Sequence, residues 1–313
     1  MAEVPQPRRA EAAAQETIGG AIGTMQNRIV AAPGSRLGNA LSRLGGLALA
    51  AVLCFAAAGC NKLKARDMLN QGVQAYKASQ FDSAIEKFKQ AKALDPSLQT
   101  ARLYLATAYA NQYVPGSPDE ANVNKGRQAI AEFKEVLERE PSNLAAIDGI
   151  GSLLFNMAAG PPPNIDMLKE SRSYHQQHIK IKADDPEAYY WVGLIDWTLS
   201  FKANAQARLD YNQANLRKQV KITDPLPEKV REQFAAAYGA DVDDGIAALK
   251  KAVELRPDYD DAVVYLNLLD RQKADMVASA EDRQKLEEDA DALIEKVKEI
   301  KQRKASQPAP PSS

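Results

Sequence analysis

Apolar residues recur three and four positions apart along most of residues 65–300, a spacing that places them on one face of an α-helix. The pattern divides this stretch into successive helices of about 12 to 16 residues. No segment shows the strict alternation of polar and apolar positions that is typical of a half-buried strand. The sequence therefore predicts an all-α fold.

Small and aromatic residues fall where two antiparallel helices would touch. Gly72 and Ala84 would let the helices approach closely, Tyr76 and Phe88 would fill the gap, and Pro96 would end the second helix. Residues 65–98 resemble one tetratricopeptide repeat, a helix pair with a period of 34 residues. The resemblance implies a right-handed α-solenoid in which each repeat contacts its neighbours.

Later repeats resemble the same family but carry insertions. The second contains an extra loop at residues 113–119, and a proline-rich segment at residues 160–163 interrupts the third. The fourth opens near Tyr189, with a second helix expected at residues 203–220, and a degenerate fifth covers residues 227–256. The sequence thus predicts a repeat array over residues 65–271, a C-terminal capping helix over 272–304 and a disordered tail over 305–313.

The terminal helix carries a narrow apolar seam with alternating steps of four and three residues. Its members are Leu286, Ala290, Leu293, Val297 and Ile300. A seam of this kind fits one partner helix. We expect it to cover the last repeat, because a solenoid needs a cap. Pairing with a second chain as a coiled coil is the alternative.

An uninterrupted run of small and apolar residues at positions 47–59 ends on Cys60 and follows Arg28, Arg36 and Arg43. It is too short to cross a bilayer, since a spanning helix needs about 20 apolar residues. Basic residues followed by a short apolar run are typical of an export signal. The signal peptide would cover residues 1–59, or begin at Met25.

Residues 57–60, Ala-Ala-Gly-Cys, resemble the bacterial lipobox. The resemblance implies that Cys60 is lipidated and that residues 60–64 form a short tether. Asn61 after the cysteine implies an outer-membrane location facing the periplasm. An ordinary signal peptide followed by an unmodified cysteine is the alternative.

The charge balance excludes a generally basic surface for nucleic acid, because 40 basic and 41 acidic residues give a net charge of −1. Only two cysteines are present, and one lies in the predicted signal peptide. The exported part therefore has no internal disulfide. We expect a monomer.

Candidate chemistry is sparse, and we predict neither an enzyme nor a cofactor. His175 and His178 are interpreted as polar surface residues of a repeat helix, and the alternative is a metal or glycan site. The acidic residues 241–245 are interpreted as a turn with a helix cap, and those at 258–261 as carboxylates that cap a helix start.

In tetratricopeptide proteins the inner face of each first helix lines a concave groove. The resemblance places on this face Tyr76, Lys77, Thr107, Asn111, Asp148, Ser152, Phe155, Asn156, Tyr190, Leu194 and Trp197. Aromatic rings beside amides suit an extended peptide or a partner helix. Packing of Phe155 and Trp197 between helices is the equally compatible alternative.

The function implied is that of a lipid-anchored protein that binds a protein or peptide partner in the bacterial cell envelope. A component of the outer-membrane or envelope assembly machinery is the first alternative. An envelope metal or glycan binder is the second.

Overall fold

The computed structural model describes residues 44–158 and 163–306, with side chains from Cys60 onward. Within these ranges there are helices and no strands, so the all-α prediction is confirmed. The helices are α1 (Leu44–Lys77), α2 (Phe81–Leu94), α3 (Gln99–Gln112), α4 (Glu120–Leu137), α5 (Leu144–Ala158), α6 (Ile165–Ile181), α7 (Pro186–Ala214), α8 (Glu228–Leu255), α9 (Asp260–Ala274) and α10 (Ala280–Ser306).

Three predicted segments fall partly outside the described residues. They are residues 1–43 of the signal peptide, residues 160–162 of the third-repeat interruption and residues 307–313 of the tail. The chain divides into two compact units, one ending at Gly149 and the other beginning at Ile150, with the boundary inside α5.

The first unit is built from antiparallel helix pairs that approach closely at a glycine. An added Cβ at Gly72 of α1 would lie 2.6 Å from Cδ1 of Phe88 in α2, closer than real Cβ atoms come. Phe88 and Ala84 are fully buried, as the repeat pattern predicts. The same arrangement recurs at Gly149, where a Cβ would meet the ring of Phe133 at 2.6 Å.

The predicted insertion in the second repeat is a loop between α3 and α4. Asn122 organises it, because its side-chain carbonyl accepts from the Val114 N–H at 2.7 Å. Its amide donates to the carbonyls of Val114 at 2.9 Å and Ser117 at 3.1 Å. The loop leaves the helix pair intact, since it is closed by a side chain of α4.

The second unit departs from the predicted repeats. The fourth and fifth repeats are one long hairpin, α7 packed against α8, and the helix predicted at residues 203–220 is the C-terminal half of α7, ending at Ala214. No proline interrupts α7 after Pro186, and the next prolines are Pro225 and Pro227. Helix formation therefore continues through both segments.

One of the two capping predictions was wrong. Residues 241–245 lie inside α8, and Gly245 is needed for packing, because a Cβ there would lie 2.7 Å from Leu269 and 2.8 Å from Asp196. Asp260 and Asp261 do lie in the first turn of α9, as predicted, although Tyr259 at its N-cap position makes no side-chain capping bond. Asp260 also accepts a hydrogen bond from Lys304 of α10 at 2.6 Å.

The C-terminal helix covers α9, as the seam predicts. Ala290 and Ile300 are buried, and the other seam residues are half-buried. Asn267 of α9 donates to the Ala290 carbonyl, and Arg271 pairs with Asp291 at 2.5 Å. The helix begins at Ala280, after a turn that separates it from α9.

Gly72→Ala should destabilise the protein by about 1–3 kcal/mol, because the new methyl group overlaps the Phe88 ring. Urea denaturation would measure the change. Adding Phe88→Leu should recover part of the loss, because the smaller side chain makes room.

Gly239→Ala is the matched control, since a Cβ at this helical position meets nothing within 4 Å. It should stabilise by about 0.5–1 kcal/mol, as alanine does in a helix interior. Equal effects of the two substitutions would contradict the close-approach interpretation.

Candidate interaction surfaces

The predicted groove face of the first unit brings Tyr76 of α1 and Asn111 of α3 together. The Asn111 amide donates to the Tyr76 hydroxyl. The Tyr76 ring is half-buried and stands edge-on to Phe81, with ring centroids 5.5 Å apart. Asn111 and Lys77 are exposed. This surface, which we call the Tyr76 face, presents an aromatic ring, an amide and a cation to solvent.

The groove residues on α5 differ in exposure. Asp148, Ser152 and Asn156 are half-buried, whereas Phe155 is buried. Phe155 stands edge-on to Trp191 with ring centroids 5.5 Å apart. Its ring is therefore part of the packing of the second unit, which is the alternative that the sequence left open.

Tyr190 and Trp197 of α7 are also buried, with 4% and 8% of their surface exposed. Trp197 stands edge-on to Tyr265 of α9 at 5.2 Å and stacks on Phe201 at 5.0 Å. Phe201 retains 37% exposure. Sequence reasoning missed it, although it lies four residues after Trp197 and so shares its helix face.

The tyrosines that pack around α7 are buried and neutral, namely Tyr190, Tyr259 and Tyr265. Burial raises the pKa of Tyr265 to about 12 and also raises the pKa values of Tyr190 and Tyr259. The Tyr259 hydroxyl donates to Glu187 at 2.5 Å, and Arg256 pairs with the same carboxylate at 2.6 Å. These contacts fix α7, α8 and the start of α9 to one another.

The histidines do not lie on the surface, so that interpretation was wrong. His175 is fully buried and stacks on Trp191 with an interplanar angle of 4° and centroids 5.1 Å apart. His178 is also buried, with its Nε2 3.5 Å from an Asp185 carboxylate oxygen. Among the described residues, no group of three or more histidine, cysteine or acidic side chains is arranged to hold a metal ion.

A buried ion pair joins three helices of the second unit. Arg172 of α6 approaches Asp196 of α7 at 2.6 Å through Nε, and it donates through Nη2 to Asp244 of α8 at 3.0 Å. Burial raises the pKa of Asp196 to about 7, although Arg172 favours its charged form. Both partners of Arg172 are side chains of this chain, so the interaction connects α6, α7 and α8 and has a structural role.

A cleft of about 460 Å³ lies between the helices of the first unit, lined by Lys89, Lys92, Ala93, Pro96, Arg102, Leu105 and Glu132. Lys92 pairs with Glu132 at 2.7 Å, and Arg102 pairs with Glu135. Two cations of the cleft, Lys92 and Arg102, are thus paired with acids of α4, and Lys89 lies over the Tyr109 ring.

Cys60 is exposed and lies near the middle of α1. Residues 60–64 are all exposed, and Ala65 is buried. Of the helices in the described ranges, none combines the length and hydropathy needed to cross a membrane.

Comparisons with known proteins show the fold. No family model matches the chain, and no curated protein is similar to it in sequence. A double mutant of MamA RS-1 aligns with a TM-score of 0.51 and 16% identity, over 78% of this chain and 98% of that one. MamA 41-end from Desulfovibrio magneticus RS-1 aligns with a TM-score of 0.50 and 17% identity, over 78% and 98% of the two chains.

YrrB, described as a TPR protein with an unusual peptide-binding site, aligns less well, with a TM-score of 0.45 and 14% identity over 74% of this chain and 84% of that one. The helix pairs described above have the tetratricopeptide form. The chain has a tetratricopeptide repeat fold.

Acid should destabilise the second unit through His175. Burial, together with the neighbouring His178, lowers the pKa of His175 to about 3, whereas an unfolded chain titrates near 6.5. Between these values the unfolded chain binds a proton that the folded chain does not. The contribution of His175 to the free energy of unfolding is therefore complete above pH 6.5. Below that pH it is lost by about 1.4 kcal/mol per pH unit.

His175→Gln removes this titration, so the gap in unfolding free energy between the wild type and the variant should narrow as the pH falls from 7 to 4. Urea denaturation at several pH values would measure this gap, and titrating groups that do not interact with His175 cancel in the difference. Parallel curves for the two proteins would contradict the buried, neutral imidazole.

Proposed function

We propose that the protein is a lipid-anchored tetratricopeptide protein that binds a protein or peptide partner in the bacterial cell envelope. The observation that carries the proposal is the Tyr76 face. There the first helices of two consecutive repeats are joined by the Asn111–Tyr76 hydrogen bond, beside the exposed Lys77. A fixed aromatic ring with an adjacent amide suits an extended peptide, because it combines apolar area with directed hydrogen bonds.

The second unit supplies a smaller exposed aromatic site on α7. Phe201 is partly exposed and rests on the buried Trp197, so its ring position is fixed before any partner arrives. Pre-ordering of a contact ring lowers the entropic cost of binding. Phe201 would contact the partner, and the buried Trp197 would hold the Phe201 ring in position.

The anchor is supported by the lipobox-like sequence and by the exposure of Cys60. Residues 60–64 make no buried contact before Ala65, so a lipid on Cys60 would be accessible to a membrane while the first helix pair stays packed. Because Asn61 follows the cysteine, we propose that the protein is anchored in the outer membrane and faces the periplasm. An envelope-assembly component would use the same anchor and the same face.

Site-specific photo-crosslinking tests the partner surface. A photoreactive residue at Lys77 or at Phe201 should crosslink to a partner in intact cells, because Lys77 lies on the Tyr76 face and Phe201 is the exposed ring of the site on α7. Gln90 of α2 and Glu254 of α8 are matched controls, since both are exposed on second helices. Adducts at the control positions, with none at Lys77 and Phe201, would show that the binding face lies elsewhere.

Cys60→Ser tests the anchor. The variant should lose labelling by a fatty-acid analogue and leave the membrane fraction or remain as an uncleaved precursor, because no other residue of the lipobox can be acylated. The wild type should resist extraction by high salt, since two or more acyl chains hold a protein stably. Unchanged labelling of the variant would refute lipidation at Cys60, and Cys54→Ser serves as the control.

A further inference from the structure

The loop between α7 and α8 displays its apolar residues to solvent. We call residues 215–224 the basic–apolar loop. Leu216 is 77% exposed and Ile222 is 73% exposed, the highest values for large apolar side chains among those described. Leu209, near the end of α7, is 49% exposed. Side chains as exposed as Leu216 and Ile222 contribute little to the packing of the second unit.

The exposure is not a result of a loose loop, because α7 fixes the loop from inside. The side-chain carbonyl of Asn212 accepts from the Val220 N–H at 2.8 Å, and the side-chain amide of Asn212 donates to the Val220 carbonyl at 2.9 Å. Arg208, which is buried, donates to the carbonyls of Lys221 at 2.7 Å and Asp224 at 2.9 Å. Leu216 and Ile222 are therefore held outward on an ordered backbone.

Arg208 is itself fixed from the other side of the unit. Its Nη2 pairs with Asp275 at 2.8 Å, after the end of α9, and its Nε donates to Asn204 at 2.8 Å. Arg283 of α10 reaches the Thr223 carbonyl at 3.4 Å. Three helices thus support one loop conformation.

The loop is basic, with three cations and one acid, Asp224. Arg217, Lys218 and Lys221 are all exposed, and residues 211–223 contain no acid. Asp224 accepts from the Lys221 backbone N–H at 2.8 Å. Within the described residues, none of these three cations forms a salt bridge. The loop therefore carries a local charge of +2 on a chain of net charge −1, which favours an anionic ligand surface.

We propose that the basic–apolar loop docks on an anionic lipid bilayer. Leu216 and Ile222 enter the boundary between headgroups and acyl chains, while the three cations contact lipid phosphates. Lipid is favoured over a protein groove because two separate apolar tips with cations between them match a fluid apolar layer beneath a negative surface. Long basic side chains can also keep their charges at the headgroups while their stems lie in the apolar layer.

The inference rests on the proposed function only in placing the chain near a membrane. The test therefore uses the full chain with Cys54→Ser and Cys60→Ser, so that no lipid is attached. Ile222→Cys carries an environment-sensitive dye, and Ile294→Cys on α10, where 40% of the side chain is exposed, is the matched control position. Because the dye reports locally, vesicle binding by residues 47–59 does not imitate loop insertion.

Vesicles of phosphatidylcholine with phosphatidylglycerol should shift the emission of the dye at position 222 to the blue, and an acyl-chain quencher should quench it. Pure phosphatidylcholine vesicles should have little effect, and position 294 should respond to neither. Failure of the dye at position 222 to respond, or equal responses at both positions, would overturn the proposal and leave the loop as a protein-docking surface. Fatty-acid labelling of Cys60 decides the anchor independently.

Neutralising the loop provides the second measurement. Arg217→Gln, Lys218→Gln and Lys221→Gln together should weaken loop insertion into anionic vesicles by about a hundredfold, because each cation near such a surface contributes about fivefold. The control removes the same charge from α10, with Lys285→Gln, Lys296→Gln and Lys301→Gln. Equal losses in both triple variants would show a general charge effect and refute a specific loop site.

Discussion

The close approach of paired helices at positions without a side chain is the constraint on which the rest of the structure depends. Gly72, Gly149 and Gly193 each face a large apolar side chain of the opposing helix, namely Phe88, Phe133 and Leu249. A methyl group at any of these positions would force the helices apart, because interiors are packed to near-crystalline density. The same contact therefore fixes helix separation in both units.

Polar contacts add specificity to this packing. The Arg172–Asp196–Asp244 tie fixes three helices of the second unit, and Asn122 closes the extra loop of the first. A buried ion pair contributes little net stability, since desolvation offsets the attraction. It does penalise other registers of α6, α7 and α8, because a shift would leave Asp196 buried without its guanidinium.

The first repeats were predictable because their signals are local. Gly72, Ala84 and Phe88 lie within one 34-residue period, and the structure uses each as the repeat pattern implies. The long α7–α8 hairpin was not predicted, because the repeat pattern expects a break after a typical repeat helix, and the absence of proline between Pro186 and Pro225 was the one signal against that break. The burial of His175 was missed for a related reason. The ring that stacks on His175, Trp191, belongs to the next helix. The imidazole also packs against Gly151 of the preceding helix, where an added Cβ would lie 2.6 Å from its Nε2.

The site was less predictable than the fold. A repeat register identifies which residues lie on a helix face, but burial depends on the neighbouring helix. Tyr76 stays half-buried although Phe81 and Tyr104 stand edge-on to its ring, and Asn111 is exposed, whereas Trp197 is covered by Tyr265 of α9. Phe201 is exposed because it lies one turn further along α7.

This extra length is the main departure from a regular repeat array. A helix of 29 residues is about 43 Å long, roughly twice the length of the 14-residue helices of the first repeats. Within the second unit, the added turns carry Phe201, Asn204 and Arg208 and end in the basic–apolar loop. Three helices fix that loop with its apolar tips outward, an arrangement that packing alone does not require. A departure from repeat regularity that is stabilised by buried polar contacts is where a function particular to this chain is to be sought.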